Sequence, residues 1–409
     1  MLKQNLALSF KFHFKKRCYL LCIAVFCYLS TTAQFTLTVH LKNVPVGHSL
    51  DDIFIAGSFN GWNPADDNTR LIKNGDGYSV TLKGLASGAH QFKFTRGGWN
   101  KVECTSAGAD VFNHAVYIIY DNIELSYEIT GWIDDFAPLH KTHTTSPNVH
   151  IVDTAFEIPQ LKKYRRIWIY LPESYSSSKK HYPVMYLQDG QNIFDAYTSG
   201  YKEWGVDECL DSLIKMGKPG CIVVGIDNGG ETRMNEYNPY EFVWKDSADS
   251  KTFLPQGAAY LDFLIQSLKP WIDKHYRTLL SKENTIIAGS SMGGLIAYYA
   301  ALKYPGVFGK AGIFSPAFWT ANGIERLTDS LGSQVKGKFF FYMGDKEGKK
   351  YVDDMIRIQE KIGKNSAAMI YSIIDSEGHH NEEAWRKWFA EFYNWIMAEG
   401  YNVVTKGDD

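Results

Sequence analysis

The chain has 409 residues, 15 % of them aromatic and 22 % charged, with a formal net charge of −2. Those proportions exclude a disordered chain, and the lack of a basic excess excludes a typical nucleic-acid binder. The length allows more than one domain, each with a core of its own.

Residues 1–33 read as a signal peptide. Lys11, Lys15, Lys16 and Arg17 precede an apolar run from Tyr19 to Leu29, and small residues lead to Ala33, the expected cleavage point. An uncleaved anchor is the lesser reading, because the run is shorter than the ~20 residues of a membrane span. Cys22 and Cys27 lack the preceding small residue of a lipoprotein signal. Without this segment the net charge is about −7. Cys104, Cys209 and Cys221 then remain, an odd number that sets no disulfide framework and leaves a Cys209–Cys221 pair open. The expectation is an exported protein, periplasmic or extracellular, with no stable membrane span after cleavage and no nucleic-acid partner.

Residues 34–130 carry short runs rich in β-branched and aromatic residues: "FTLTVHL", "IFIAG", "YSVTL", "HQFKF", "AVYIIY" and "IELSYEI". Turn signals separate them, which predicts a small all-β, immunoglobulin-like sandwich. Residues 131–149 are polar and aperiodic and read as a linker. From 150 to 398 strands alternate with helices. "RRIWIYLP", "YPVMYLQDG", "CIVVGID", "TIIAGS", "AGIFSP", "KFFFYMGD" and "MIYSIID" are the strand candidates, several of them continuously apolar. In the last helix Trp385, Trp388, Phe389, Phe392 and Trp395 form one stripe. The pattern predicts a doubly wound α/β domain, followed by a tail at 399–409.

"Gly289-Ser290-Ser291-Met292-Gly293" fits G-x-S-x-G between a predicted strand and a predicted helix, the context of a nucleophile turn. Ser291 is the candidate nucleophile. The Met292 amide, at a helix N-terminus, would bind a developing oxyanion. A second donor is expected after "YPVMYLQDG", at the Gln191 amide, where Gly190 lets the backbone approach. The base should follow the serine, and only His379 and His380 do so; chemistry alone permits either. Asp345 and Glu347 both follow the "FFFYMG" strand as candidate acids, and periodicity does not choose between them. Asp375 reads as solvated. Adjacent loop histidines without H-E-x-x-H make a poor metal site, so neither metal nor cofactor is expected.

"YPVMYLQDGQNIFD", "GSSMGG", "FSPAFW", "MGDKEG" and "GHHNEEAW" resemble the putative-esterase group of α/β-hydrolases, carbohydrate esterase family 1 in particular. That group includes feruloyl, acetylxylan and siderophore esterases. In such relatives the catalytic histidine stands five residues before a tryptophan, which implies His380 ahead of Trp385. The acid three residues after the strand-ending glycine implies Glu347, with Asp345 as fallback. "IFIAGSFNGWNP" and "HQFKFTRGGWNKVE" resemble starch- and glycogen-binding modules of families 20 and 48. This implies a glycan ligand on Trp62 and Lys93. Cys104 stands where the second platform tryptophan is expected, and Trp99 would substitute for it. Together the resemblances imply a serine carboxylic-ester hydrolase acting on feruloyl or acetyl esters of plant polysaccharides or oligosaccharides. The alternatives are a siderophore esterase and a catalytically dead glycan-binding surface protein.

Overall fold

Alternation sets the first strand. In β1 (Phe35–Asn43) Leu37, Val39 and Leu41 point inward and are almost wholly buried, while their neighbours are not. The computed structural model describes residues 34–398 apart from 46, 49, 76, 109, 110, 112, 119, 120, 137–141, 201 and 246–249. The segment read as a signal peptide, 1–33, and the tail, 399–409, therefore lie outside the described residues.

β1 pairs with β4 (Gly77–Leu85) and β8 (Ile123–Glu128), and β3 (Ile72–Asn74) extends the sheet in the order β3-β4-β1-β8. A second sheet joins β2 (Phe54–Gly57), β5 (Gly88–Thr95) and β7 (His114–Ile118), all antiparallel. Both sheets feed one apolar cluster that includes Val39, Ile55, Phe92, Phe94 and Trp132. Trp132 enters it from β9 (Gly131–Trp132), paired with β6 (Glu103–Cys104).

The span read as a linker belongs partly to each side. Trp132 is completely buried in the first cluster. The Thr144 and Ser146 amides donate to Asp195 and Asp207, and the Asn148 side chain donates to Asp211, all in the second region.

That second region is an eight-stranded sheet. β10 (Val149–Ile158) and β11 (Lys163–Tyr170) are antiparallel to each other, and β11 is antiparallel to its neighbour β13 (Ile222–Ile226). From β13 onward the pairing is parallel: β12 (Val184–Gln188), β16 (Thr285–Ser290), β17 (Lys310–Phe314), β18 (Lys338–Gly344) and β19 (Met369–Asp375). The missing numbers belong to a hairpin outside the sheet, β14 (Phe242–Lys245) and β15 (Ser250–Phe253). β10 and the hairpin were not expected from the sequence.

Helices cover both faces. One layer contains α4 (Gly257–Phe263), α5 (Lys269–His275), α6 (Met292–Lys303), α7 (Ile324–Leu331) and α8 (Lys349–Asn365). The other contains α2 (Val206–Lys215) and α9 (Glu382–Met397). Two short helices, α1 (Ser174–Ser177) and α3 (Arg233–Glu236), lie in connections. The α9 stripe centres on Trp385, Phe389, Phe392, Tyr393 and Ile396; Trp388 and Trp395 sit at its edges, half-buried. All three cysteines in the described residues are free thiols, which removes the Cys209–Cys221 pair. Among the described residues no helix is long and apolar enough to cross a membrane.

The consequence for function is a row of strand ends. β12, β16, β17, β18 and β19 are consecutive neighbours with the same direction, so their carboxyl ends open on one edge.

Candidate active site

Five non-glycine residues among those described have positive φ, and three of them lie on that edge: Asp189 after β12, Ser291 after β16 and Ser315 after β17. Each such conformation costs about 1–3 kcal/mol and persists only where its surroundings fix it. Ser291 has φ 57° and ψ −120°, outside the left-handed helical region that Asp189 occupies. Its amide donates to the Phe314 carbonyl, and its own carbonyl accepts from Leu295 and Ala317. Gly294 is required beside it, because a Cβ there would meet the Phe314 carbonyl oxygen at 2.7 Å. Ser290 is buried, whereas Ser291 stays partly open. The turn thus exposes one serine of the pair.

The strand after Ser315 brings the acid. Glu347 is 7 % exposed and closes a short turn after β18. Its Oε1 accepts from the Gly344 amide at 3.0 Å and from the Ser315 hydroxyl at 2.5 Å. Its Oε2 lies 2.5 Å from Nδ1 of His380. With Nδ1–H donated to the carboxylate, Nε2 keeps its lone pair and faces outward as a base. Asp345 is exposed, so the structure sets Glu347 and not Asp345 against the imidazole. Of the two histidines it is His380 that meets the carboxylate, while the His379 carbonyl accepts the Asn381 amide.

Trp385 explains why its spacing from the histidine matters. Its indole N–H donates to the Ser315 hydroxyl at 2.9 Å, and its ring meets the His380 ring edge-on at 5.2 Å. One side chain therefore braces both members of the acid–imidazole pair. The His380 side chain keeps 46 % of its surface open, although dense protein surrounds it. Desolvation pulls its pKa down, but the Glu347 charge and hydrogen bond outweigh this and leave it above the ordinary histidine value.

A model of the putative esterase family matches residues 158–394. The chain belongs to the putative esterase family. It is 30 % identical over 190 residues to the uncharacterized protein YbbA of Bacillus subtilis, covering 46 % of this chain and 70 % of that one. It is 26 % identical over 225 residues to an endo-1,4-beta-xylanase/feruloyl esterase of Xylanibacter ruminicola, covering 54 % of this chain. There the chain spans about a quarter of the relative, 27 %. Among solved structures, an enterochelin esterase from Shigella flexneri superposes with a TM-score of 0.52 at 15 % identity, over 89 % of this chain and 92 % of that one. The last likeness is one of fold. By family the chain is an esterase.

Within this esterase fold a second ionic group supports the serine turn. Arg233 binds Asp189 with two bonds, at 2.7 and 2.8 Å, and also donates to the Ser290 carbonyl at 3.4 Å. Asp189 also accepts from Asn228 at 2.7 Å. The Arg233 charge acts on His380 as well, opposing the effect of Glu347. The Ser291 hydroxyl has no hydrogen-bond partner among the described residues. Serine–imidazole bonds are often loose before substrate binds.

Gln191 follows β12 and Met292 follows β16, on the edge that carries Ser291. Met292 opens α6 and Gln191 lies in the 190–192 turn, and first amides of a helix or turn lack an internal acceptor. A Cβ at Gly190 would come within 2.9 Å of the backbone at 225–227, which is why this turn must carry glycine. Gln191 is held from both ends: its carbonyl accepts from Thr198 and its side-chain oxygen from the Asn228 amide.

Four residues of the site were not singled out from the sequence: Asp189, Arg233, Ser315 and Glu382. Glu382 is 7 % exposed, accepts from Asn192 at 3.4 Å, and is pushed up to about 7 by burial, with Asp189 adding to the effect. Asp375 corrects the sequence reading. It is buried rather than solvated, and accepts from Lys387 and the Trp388 indole at 2.8 Å each. The described residues hold no cluster of metal-binding side chains.

In the N-terminal region Trp62, at φ 59°, and Trp99 come together with ring centroids 6.2 Å apart and a tilt of 38°. Trp99 is 45 % exposed, and Lys93 is half-buried on β5. Cys104 is buried at 2 %, so the position at which a second platform tryptophan was expected faces the interior.

Proposed function

We propose that the protein hydrolyses feruloyl or acetyl esters of plant polysaccharides or their fragments, outside the cytoplasm, through an acyl-enzyme on Ser291. The observation that carries the reading is the Glu347–His380 pair at the edge that also presents the strained Ser291 turn. In this mechanism Nε2 of His380 takes the Ser291 proton as Oγ attacks the ester carbonyl. The Met292 and Gln191 amides hold the oxyanion, and Glu347 stabilises the imidazolium. His380 then protonates the leaving alcohol, and water repeats the sequence to release the acid.

Similarity to a xylanase/feruloyl esterase favours the polysaccharide substrate. The Trp62–Trp99 pair supports a glycan-binding role for the N-terminal module, since such ring faces suit sugar stacking. The apolar run after the basic residues of 1–33 supports export.

A second reading, a siderophore esterase, draws on the fold likeness to an enterochelin esterase, which extends over the N-terminal region as well. Hydrolysis of methyl ferulate, acetylated xylan and a tricatecholate lactone by the wild-type chain and Ser291→Ala decides between them. Serine-dependent release from either of the first two supports the proposal. Release from the lactone alone replaces it with the siderophore reading, and activity that survives Ser291→Ala overturns the mechanism.

A further inference from the structure

A band of aromatic rings leads away from the site and is unused by the mechanism. In the segment 311–320 every residue is buried except Trp319, which is half-buried and so keeps part of its ring open in an otherwise closed loop. The loop is anchored directly on the nucleophile turn: the Ala317 amide donates to the Ser291 carbonyl at 3.1 Å, and the Thr320 hydroxyl meets the Met292 sulfur at 3.6 Å. Trp319 sits between those two anchors.

The β14–β15 hairpin meets this ring from the other side. Phe242 and Trp244 are half-buried, while Glu241 and Val243 between and before them are exposed, the alternation of a strand with one covered face. That face lies on Trp319, with centroids 5.4 Å from Phe242 and 5.5 Å from Trp244, both edge-to-face. Tyr351 continues the band at 6.2 Å from Trp319, and its amide donates to the carbonyl of Gly348, the residue after Glu347, which ties this end to the turn that carries the acid. The aromatic band therefore runs from the acid end of the site to the hairpin.

Two acids on the Tyr351 side are already committed. Asp354 is taken by Arg357 at 2.7 Å, and Glu347 by His380 and Ser315. A sugar ring needs directed hydrogen bonds beside its stacking face, whereas a planar aryl group needs ring edges and faces.

We infer that Trp319, with Phe242 and Trp244 of the hairpin, forms the acyl subsite and selects an aromatic acyl group, of the hydroxycinnamoyl class, over acetyl. This rests on Ser291 being the nucleophile, and it narrows the proposed function from feruloyl or acetyl to the aromatic acid.

The test has a turnover arm and a binding arm. In the first, kcat/KM is measured for methyl ferulate and 4-nitrophenyl acetate in wild type, Trp319→Ala, Trp244→Ala and Trp319→Phe. The expected result is a fall of about 10-fold or more on ferulate for each alanine variant, carried by KM, with acetate changed less than about 2-fold and Trp319→Phe restoring most of the loss. Equal losses on both esters, or none on ferulate, overturn the inference. In the second arm methyl ferulate is titrated calorimetrically into Ser291→Ala and into Ser291→Ala with Trp319→Ala. Heat of binding in the first protein and its loss in the second support the subsite without any turnover. Xylobiose binding at these residues in place of ferulate overturns it. Ferulate binding together with wild-type inactivity on every ester would sink the esterase mechanism while leaving the subsite standing.

Discussion

The two halves of the catalytic arrangement are held by different means. The serine turn is fixed by backbone: positive φ, packed glycine and three main-chain hydrogen bonds at Ser291, two of them to Phe314 and Ala317 at the end of the next strand. The acid–imidazole arm is fixed by side chains that come from β17, β18 and α9 and meet only in the folded protein. A backbone-built turn tolerates no added atoms, because the main-chain groups of 314 and 317 packed against it cannot move aside. A side-chain-built arm tolerates shape changes at its margins and fails when one bond is cut.

Chemistry should depend most on the atoms of the turn. Ser291→Ala is expected to lower kcat by about 10⁴-fold or more on any ester that the enzyme hydrolyses, with folding intact by circular dichroism. The arm should come next and should discriminate sharply between neighbours. Glu347→Gln is expected to cost about 10²–10⁴ in kcat, while Asp345→Asn, at an exposed position, stays within about 2-fold. Similar losses in both variants would dissolve the contrast drawn here.

Stability should depend on the packed glycine of the turn. Gly294→Ala places a methyl 2.7 Å from the Phe314 carbonyl oxygen and is expected to destabilise by about 1–3 kcal/mol, read as a lower urea midpoint. A midpoint unchanged by that substitution would show that the turn can give way.

The smallest effect is a displacement in pH. Only the neutral imidazole accepts the serine proton, so activity rises as pH passes upward through the His380 pKa. Because Glu347 holds that pKa above the ordinary value, the acidic limb of kcat/KM should lie above pH ~6.5. Removing the charge in Glu347→Gln should move the limb to lower pH in the residual activity. A limb that moves upward would contradict the assignment of Glu347 as the partner.

The same contrast accounts for what could be read in the sequence. G-S-S-M-G is legible because the residues that force the turn are contiguous, and Ser291 follows from their order. Asp189 and Arg233 lie 44 residues apart, and nothing in either local stretch announces a two-pronged bond between them. Ser315 hides in "FSPAFW" because its role depends on a positive φ and on an indole 70 residues away. Asp375 looked solvated at the end of a strand, and only the docking of α9 supplies Lys387 and Trp388. β10 escaped notice because most of its residues face solvent and alternate poorly, so its place in the sheet comes from pairing with β11. The aromatic hairpin escaped notice because its strands are only four residues each, too short for strand period to show in the sequence.

The most direct test of Ser291, His380 and Glu347 as one catalytic unit is covalent labelling with a fluorophosphonate, followed by peptide mapping. A single adduct on Ser291 is predicted, absent from Ser290 and Ser315, formed far more slowly in His380→Ala and Glu347→Gln and at the wild-type rate in Asp345→Asn. An adduct on another serine, or a rate on Ser291 indifferent to His380, would contradict the account.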